Sequence, residues 1–335
     1  MKLKRMAWIV ACAILCASLA ACGTNVQPGV SSPSNSEVVD HKTPQSGDWS
    51  TIMQVDWKEN SVKLDTGINM TYLVCGPEDG VPVLLIHGAT DSRISWSQVA
   101  PELAKDGYRC YIPELRGHGK TDKPEAGEKG YTVDQHCGDI LSLLDKIGLD
   151  EVVPVGHSLG SLITQELLLT EPEKFPKGVL ISSSAKIVNN PTLDWILQGD
   201  GTDFLGVRGY DEAQEIPDDF IKSWTETTNE DANFKSALYA HAKSLPYMDW
   251  YNIFNGCNGL DNTQRLAAVT CPVDIIWGTE DVFFMQEDEE LLKQSLSNAK
   301  VEFCQIDGAS HNIHWDGKST CDAVAKEIKR FISET

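Results

Sequence analysis

Basic residues are scarce in this 335-residue chain: 28 Lys and Arg stand against 49 Asp and Glu, a formal net charge of −21. So acidic a chain repels phosphate backbones, which argues against nucleic acid as a partner. It favours solubility and implies no protein partner. Long apolar runs are scarce too. The run from Met6 to Ala21 covers 16 residues, short of the roughly 20 that an untilted spanning helix needs. Nothing downstream is long and apolar enough to cross a bilayer. Cys-x-x-Cys pairs and the Cys/His spacings of zinc sites are missing, and no metal or organic cofactor is implied. Apolar content itself is ordinary, 41% with 23% charged residues, which allows a sizeable core and excludes a wholly disordered chain.

The first residues read as an address. Lys2, Lys4 and Arg5 precede the apolar run, which ends in small residues, Leu19-Ala20-Ala21-Cys22. Charged, apolar, then small is the order of a secretory signal. The ending resembles the bacterial lipobox, in which the chain is cut just before a cysteine whose thiol takes a diacylglycerol. That resemblance implies a signal peptide over residues 1–21, a lipidated Cys22 and an extracytoplasmic, membrane-anchored location. A plain secretory signal with an incidental cysteine is the alternative. Lasting anchorage requires more than one acyl chain. Cleavage removes three cations and no acid, taking the charge from −21 to −24. Residues 22–49 are rich in Ser, Pro, Gly and Asn without apolar periodicity, the composition of a flexible tether. About 25 such residues reach roughly 25–30 Å, enough to hold a domain clear of a lipid surface.

Of the ten cysteines, Cys12 and Cys16 fall in the signal and Cys22 in the lipobox. The seven that remain cannot all pair within one chain. Cys75, Cys110, Cys271 and Cys304 lie inside strand-like runs, where they read as small buried hydrophobes rather than as a disulfide framework.

Residues 50–335 read as one α/β domain. Strands are expected at Ser61–Asp65, Met70–Cys75, Val81–His87, Tyr108–Pro113, Val152–Gly156, Gly178–Ser182, Val273–Trp277 and Val301–Gln305. Helices are expected at Ser95–Lys105, Val133–Ile147, Leu159–Leu169, Gln286–Ser297 and Thr320–Ile332. In Val133–Ile147 the apolar face is Ile140, Leu141, Leu144 and Ile147. The alternation predicts a mostly parallel sheet covered on both faces by helices, with the first two strands as an antiparallel edge hairpin. It breaks between about residues 186 and 266. That stretch is rich in aromatics and poor in strand character. It is too long for a bare loop, so a small helical lid is expected, its aromatics shared between its own core and the roof of a pocket.

Chemistry concentrates at four places. Gly156-His157-Ser158-Leu159-Gly160 follows a strand and opens a helix. Glycines there permit a sharp turn that holds the serine exposed at the carboxyl edge of the sheet. Upstream, Leu84-Leu85-Ile86-His87-Gly88-Ala89 ends another strand. An N–H just past it, with that of Leu159, can face the serine and bind a developing oxyanion; His87 itself reads as structural. Asp281 follows the strand Ile275-Ile276-Trp277. His311 follows the next strand, after Asp307-Gly308-Ala309-Ser310. Ser, Asp, His is a known chain order for a nucleophilic triad, and all three fall at strand carboxyl ends, where open α/β sheets place their sites.

With Leu115-Arg116-Gly117-His118-Gly119, these motifs resemble the α/β-hydrolase fold family from roughly Met70 to Phe331. The resemblance implies an eight-stranded, mostly parallel sheet and a serine hydrolase, with Ser158 as nucleophile, His311 as base, Asp281 as its orienting carboxylate, and the Ala89 and Leu159 amides as oxyanion hole. It implies a small-molecule acyl substrate and no cofactor. It does not choose between carboxylic esters, C–C bond hydrolysis and perhydrolase or haloperoxidase chemistry. Dehalogenases and epoxide hydrolases of the family carry Asp at the elbow, which Ser158 argues against. Glu114, Ser310 and Met285 depart from the residues common at their positions, and none removes a reacting group. A non-catalytic surface binding protein on the same scaffold is the alternative of another class. Among competitors, Glu280 is expected to project away from the site, His314 lacks the preceding turn, Asp307 reads as a turn residue and His118 as loop packing. Trp96, Thr90 and Asp91 are expected on the pocket wall.

Overall fold

The computed structural model describes residues 56–125, 127–199, 206–209 and 215–334. The expected signal, Cys22 and the tether lie outside them. Eight strands, β1 (Trp57–Lys63), β2 (Asn69–Cys75), β3 (Val81–Ile86), β4 (Tyr108–Pro113), β5 (Val153–His157), β6 (Gly178–Ile181), β7 (Val273–Gly278) and β8 (Val301–Ile306), form one sheet. Their order is β1-β2-β4-β3-β5-β6-β7-β8. β2 runs antiparallel to β1 and β4, and every other pairing is parallel. The edge hairpin is therefore present, although β1 begins before the expected Ser61.

Parallel strands need helical crossovers, and these cover both faces. The helices are α1 (Ala100–Lys105), α2 (Val133–Ile147), α3 (Leu159–Thr170), α4 (Pro191–Gln198), α5 (Asp218–Trp224), α6 (Ala232–Ser244), α7 (Tyr247–Cys257), α8 (Gln286–Ser295) and α9 (Lys318–Ser333). β3 shows why its sequence is apolar throughout: Leu84 and Ile86 enter the core under α2 and α3, while Val83 and Leu85 enter the one under α1 and α9. α2 starts where Thr132 caps the Gln135 N–H and stops at Gly148, at φ 70°, a left-handed conformation that glycine adopts without strain. Its fully buried face is Ile140, Leu143 and Leu144, with Leu141 and Ile147 only partly covered.

One expected helix divides. Ser95–Lys105 is a 3-10 turn over Arg93–Ser97 followed by α1. Pro101 stands at the start of α1; with no N–H to donate and a fixed φ, it suits a first turn and not the middle of a longer helix.

Between β6 and β7 the chain leaves the sheet and forms α4 to α7. A short ladder closes the base of this excursion: Ile187 donates to the Leu260 carbonyl at 2.8 Å and Asn262 to that of Ala185 at 2.8 Å. Trp224 packs its ring against Phe220, Trp250 and Phe254, with centroids 5.3–5.9 Å away, and also against Phe283 beyond β7. The aromatics of this segment thus build a core of their own that joins the core of the sheet.

Candidate active site

The turn from β5 into α3 is built around two absent side chains. A Cβ on Gly156 would collide with the Gly160 carbonyl, and one on Gly160 with the Ile86 carbonyl. Their absence lets Ser158 adopt φ 51°, ψ −117°, a strained conformation for a residue with a Cβ. Ser158 donates its N–H to the Ile181 carbonyl at 3.0 Å, which ties the elbow to β6.

Asp281 and His311 meet. His311 Nδ1 lies 2.8 Å from Asp281 Oδ2, and the other carboxylate oxygen accepts the N–H groups of Phe283 at 2.8 Å and Phe284 at 3.0 Å. The carboxylate is thereby fixed on both sides. The rings of Phe283 and Phe284 flank the imidazole at 4.5 and 5.5 Å. Glu280 is exposed and Asp307, also exposed, accepts from Gln305, as a turn residue should. Ser158 Oγ makes no hydrogen bond with His311 among the described residues.

What joins the histidine to the elbow escaped the sequence. His157, the residue before Ser158, has Nε2 3.0 Å from the His311 carbonyl, and the Ser182 hydroxyl donates to the same oxygen at 2.8 Å. A carbonyl accepts, so His157 carries its proton on Nε2. Ser182 has φ 48° at the end of β6. The backbone of the imidazole-bearing turn is thus pinned to the strand ends that carry the serine. The available signal was weak: His157 occupies a free position of the elbow motif, and Ser182 ends an unremarkable strand.

The pocket in front of Ser158 is a small hollow of about 30 Å³, open to solvent on one side. Ala89 and Leu159 line it together with Leu162, Ile187, Leu193, Phe254, Cys257, Phe283 and Phe284. Asn190 also reaches it, but its oxygen caps α4 and its amide donates to the Phe283 carbonyl. The wall is therefore apolar apart from Ser158. Neither the Ala89 nor the Leu159 N–H is taken by another acceptor among the described residues, so both stay available beside the serine.

Three expected wall residues lie elsewhere. Trp96, Thr90 and Asp91 are buried behind the pocket. Trp96 packs against His314, the rings tilted by 46° with centroids 4.6 Å apart. Thr90, at φ 55°, gives its N–H to His118 Nε2 at 3.2 Å, and its hydroxyl donates to the Ala89 carbonyl. These bonds fix the Ala89–Thr90 peptide. The side chains turn inward because the helical excursion, not this loop, forms the opposite wall.

The Leu-Arg-Gly-His-Gly loop proves structural. Arg116 grips Asp139 with two buried bonds of 2.6 and 2.7 Å. Glu114 pairs with buried Arg93 at 2.6 Å, and a side chain on Gly119 would collide with Glu114. His118 donates from Nδ1 to the Arg116 carbonyl, and burial lowers its pKa to about 4, with His241 adding to the effect. Burial likewise holds His87, His157 and His314 well below the usual histidine range, and raises Asp91 to about 7. Asp91, His157 and His314 bring donor atoms within 4.8 Å of one another. The two rings are tilted by 37° with centroids 4.1 Å apart. All three residues are buried, and burial disfavours protonation of the two imidazoles.

Comparison with known proteins agrees with this architecture. The profile of a family described as the alpha/beta hydrolase fold matches residues 81–318. An "Epoxide hydrolase 1" of Caenorhabditis elegans is 25% identical over 83% of this chain and 71% of its own length. A "Non-heme chloroperoxidase" of Streptomyces lividans is 32% identical over 66% of this chain and 82% of its own. A bromoperoxidase structure from Bacillus anthracis superposes with a TM-score of 0.68 at 21% identity, covering 83% of this chain and all of that one.

Proposed function

The chain belongs to the α/β-hydrolase fold family, and from that premise we propose that it is a serine hydrolase cleaving carboxylic esters, or related acyl compounds of small to medium size, through an acyl-enzyme. The observation that carries this reading is the 2.8 Å Asp281–His311 bond, held against a strained Ser158 elbow that opens on an apolar pocket. Asp281 holds the Nδ1 proton and leaves Nε2 as the base. His311 Nε2 takes the Ser158 proton as Oγ attacks the acyl carbon, and later returns it to the leaving alcohol. Such nucleophile–base contacts are commonly loose before substrate arrives. The Ala89 and Leu159 amides receive the oxyanion, each donor contributing about 2.7–4 kcal/mol in comparable sites. Water activated by His311 then releases the acid. The apolar wall selects an apolar acyl group, and the α4–α7 segment acts as the lid over it.

Attack of hydrogen peroxide on the same acyl-enzyme is a second reading, favoured by the likeness to the chloroperoxidase. The epoxide hydrolase likeness does not extend to the elbow chemistry, because Ser158 cannot supply the carboxylate that family members with Asp at this position use. We further propose that Cys22 is lipidated and anchors the enzyme outside the cytoplasm.

The test uses p-nitrophenyl esters of increasing chain length, with Ser158→Ala as control and a fluorophosphonate as label. Turnover and labelling that vanish in the variant support the reading. Equal turnover by both proteins removes Ser158 as nucleophile. Absence of turnover and label in the wild type favours a non-catalytic binding protein.

A further inference from the structure

Cys75 ends β2, and its partner across the antiparallel β2–β4 ladder is Cys110. Residues opposite one another in such a ladder have Cα atoms about 4.5–5.5 Å apart, within the roughly 4.4–6.8 Å that a disulfide spans. Both side chains enter the same apolar cluster. The backbone holds this rung closely. Gly76, at φ 91°, approaches the Tyr108 carbonyl so nearly that a Cβ would collide with it. Arg109 Nη1 donates to the Gly76 carbonyl at 2.8 Å. Among the seven cysteines of the described residues, no other two are ladder partners.

We infer that Cys75 and Cys110 are a cross-strand disulfide site, closed as the chain folds outside the cytoplasm, which staples the β1–β2 hairpin to the rest of the sheet. The inference rests on the proposed export for its oxidising surroundings. The oxidant is a disulfide, either a small-molecule one or that of a thiol oxidoreductase. The Cys75 thiolate attacks one of its sulfurs and expels the other as a thiolate. The Cys110 thiolate then attacks the Cys75 sulfur of the mixed disulfide and expels the second. Two protein thiols lose two protons and two electrons, and the oxidant leaves as two thiols. Both sulfurs are buried in the finished fold, so exchange precedes the docking of β4, and the closed bond is shielded from reductant afterwards.

The full chain is exported in a host with an oxidising compartment, unfolded in guanidinium with excess N-ethylmaleimide, and digested with trypsin without reductant. The expected product joins Leu64–Arg93 to Cys110–Arg116 and separates on reduction. Maleimide on both cysteines, or linkage of either to a different cysteine, overturns the inference. Refolding in a glutathione redox buffer asks the same question without export: the linked peptide supports the inference, and two free thiols defeat it whatever the fate of the signal. Heating with a reductant should lower the unfolding midpoint of the linked wild type by several degrees and leave a Cys75→Ala/Cys110→Ala variant unmoved. An equal response in both would also count against the bond.

Discussion

Asp281 has both oxygens committed, one to His311 and one to two backbone N–H groups. Replacement by Asn keeps the shape but offers an N–H where an acceptor is required, so the imidazole loses its correct tautomer. Asp281→Asn should lower kcat about 10⁴-fold, the loss that the equivalent change produces in serine proteases, with KM little changed in steady-state ester kinetics. His157 acts at one remove. Its Nε2 proton and the Ser182 hydroxyl hold the His311 carbonyl; with one gone, the turn carrying the proposed base is free to drift. His157→Ala should reduce kcat by about 10–100-fold at constant KM, the scale of a small misplacement of a catalytic group, and His157→Gln, which retains an N–H donor, should recover part of it. An unchanged kcat in His157→Ala would show that Ser182 suffices.

β7 carries an anomaly. Asp274 lies on this interior strand with both carboxylate oxygens buried and without a hydrogen-bond partner among the described residues. Burial, reinforced by Glu327 and opposed by Arg330, raises it to about 7 from 3.8. The unfolded chain releases this proton near pH 4 while the folded chain keeps it until about pH 7. The folded state therefore loses stability as pH rises through that window, with no further loss above it. Asp274→Asn removes the ionisable proton. Urea titrations at pH 4.5 and pH 8 should give a gain in stability, relative to wild type, that is larger at pH 8 by on the order of a few kcal/mol. The same gain at both pH values would mean that the carboxyl titrates normally. Elements also show where periodicity misleads. Ser95–Lys105 reads as one helix, yet Pro101 starts α1 afresh, and β1 begins at Trp57 because an edge strand follows its partner β2 more than its own pattern.

For the molecule as a whole, the proposed anchor separates the N-terminal segment from the domain. Cys22→Ser should move the protein from the membrane fraction to the soluble fraction with activity per molecule unchanged; continued sedimentation with membranes would dismiss the lipid. The eight-stranded, mostly parallel sheet was legible from apolar runs alternating with helical spacing, because a strand covered on both faces must be apolar nearly throughout. The elbow glycines, Asp281 and His311 were legible because each sits in a short local pattern of strand, turn and reacting side chain. Local pattern says nothing of partners 129 or 154 residues away, such as Ser182 and His157 on the His311 carbonyl. Nor does it say which way a loop turns. Trp96, Thr90 and Asp91 face the interior because Leu193, Phe254 and Cys257 from the helical excursion already occupy the pocket wall. Strand positions and the local motifs follow from chain-local chemistry, whereas strand order, clamps, pocket walls and the facing of Cys75 on Cys110 exist only once packing has brought distant segments together.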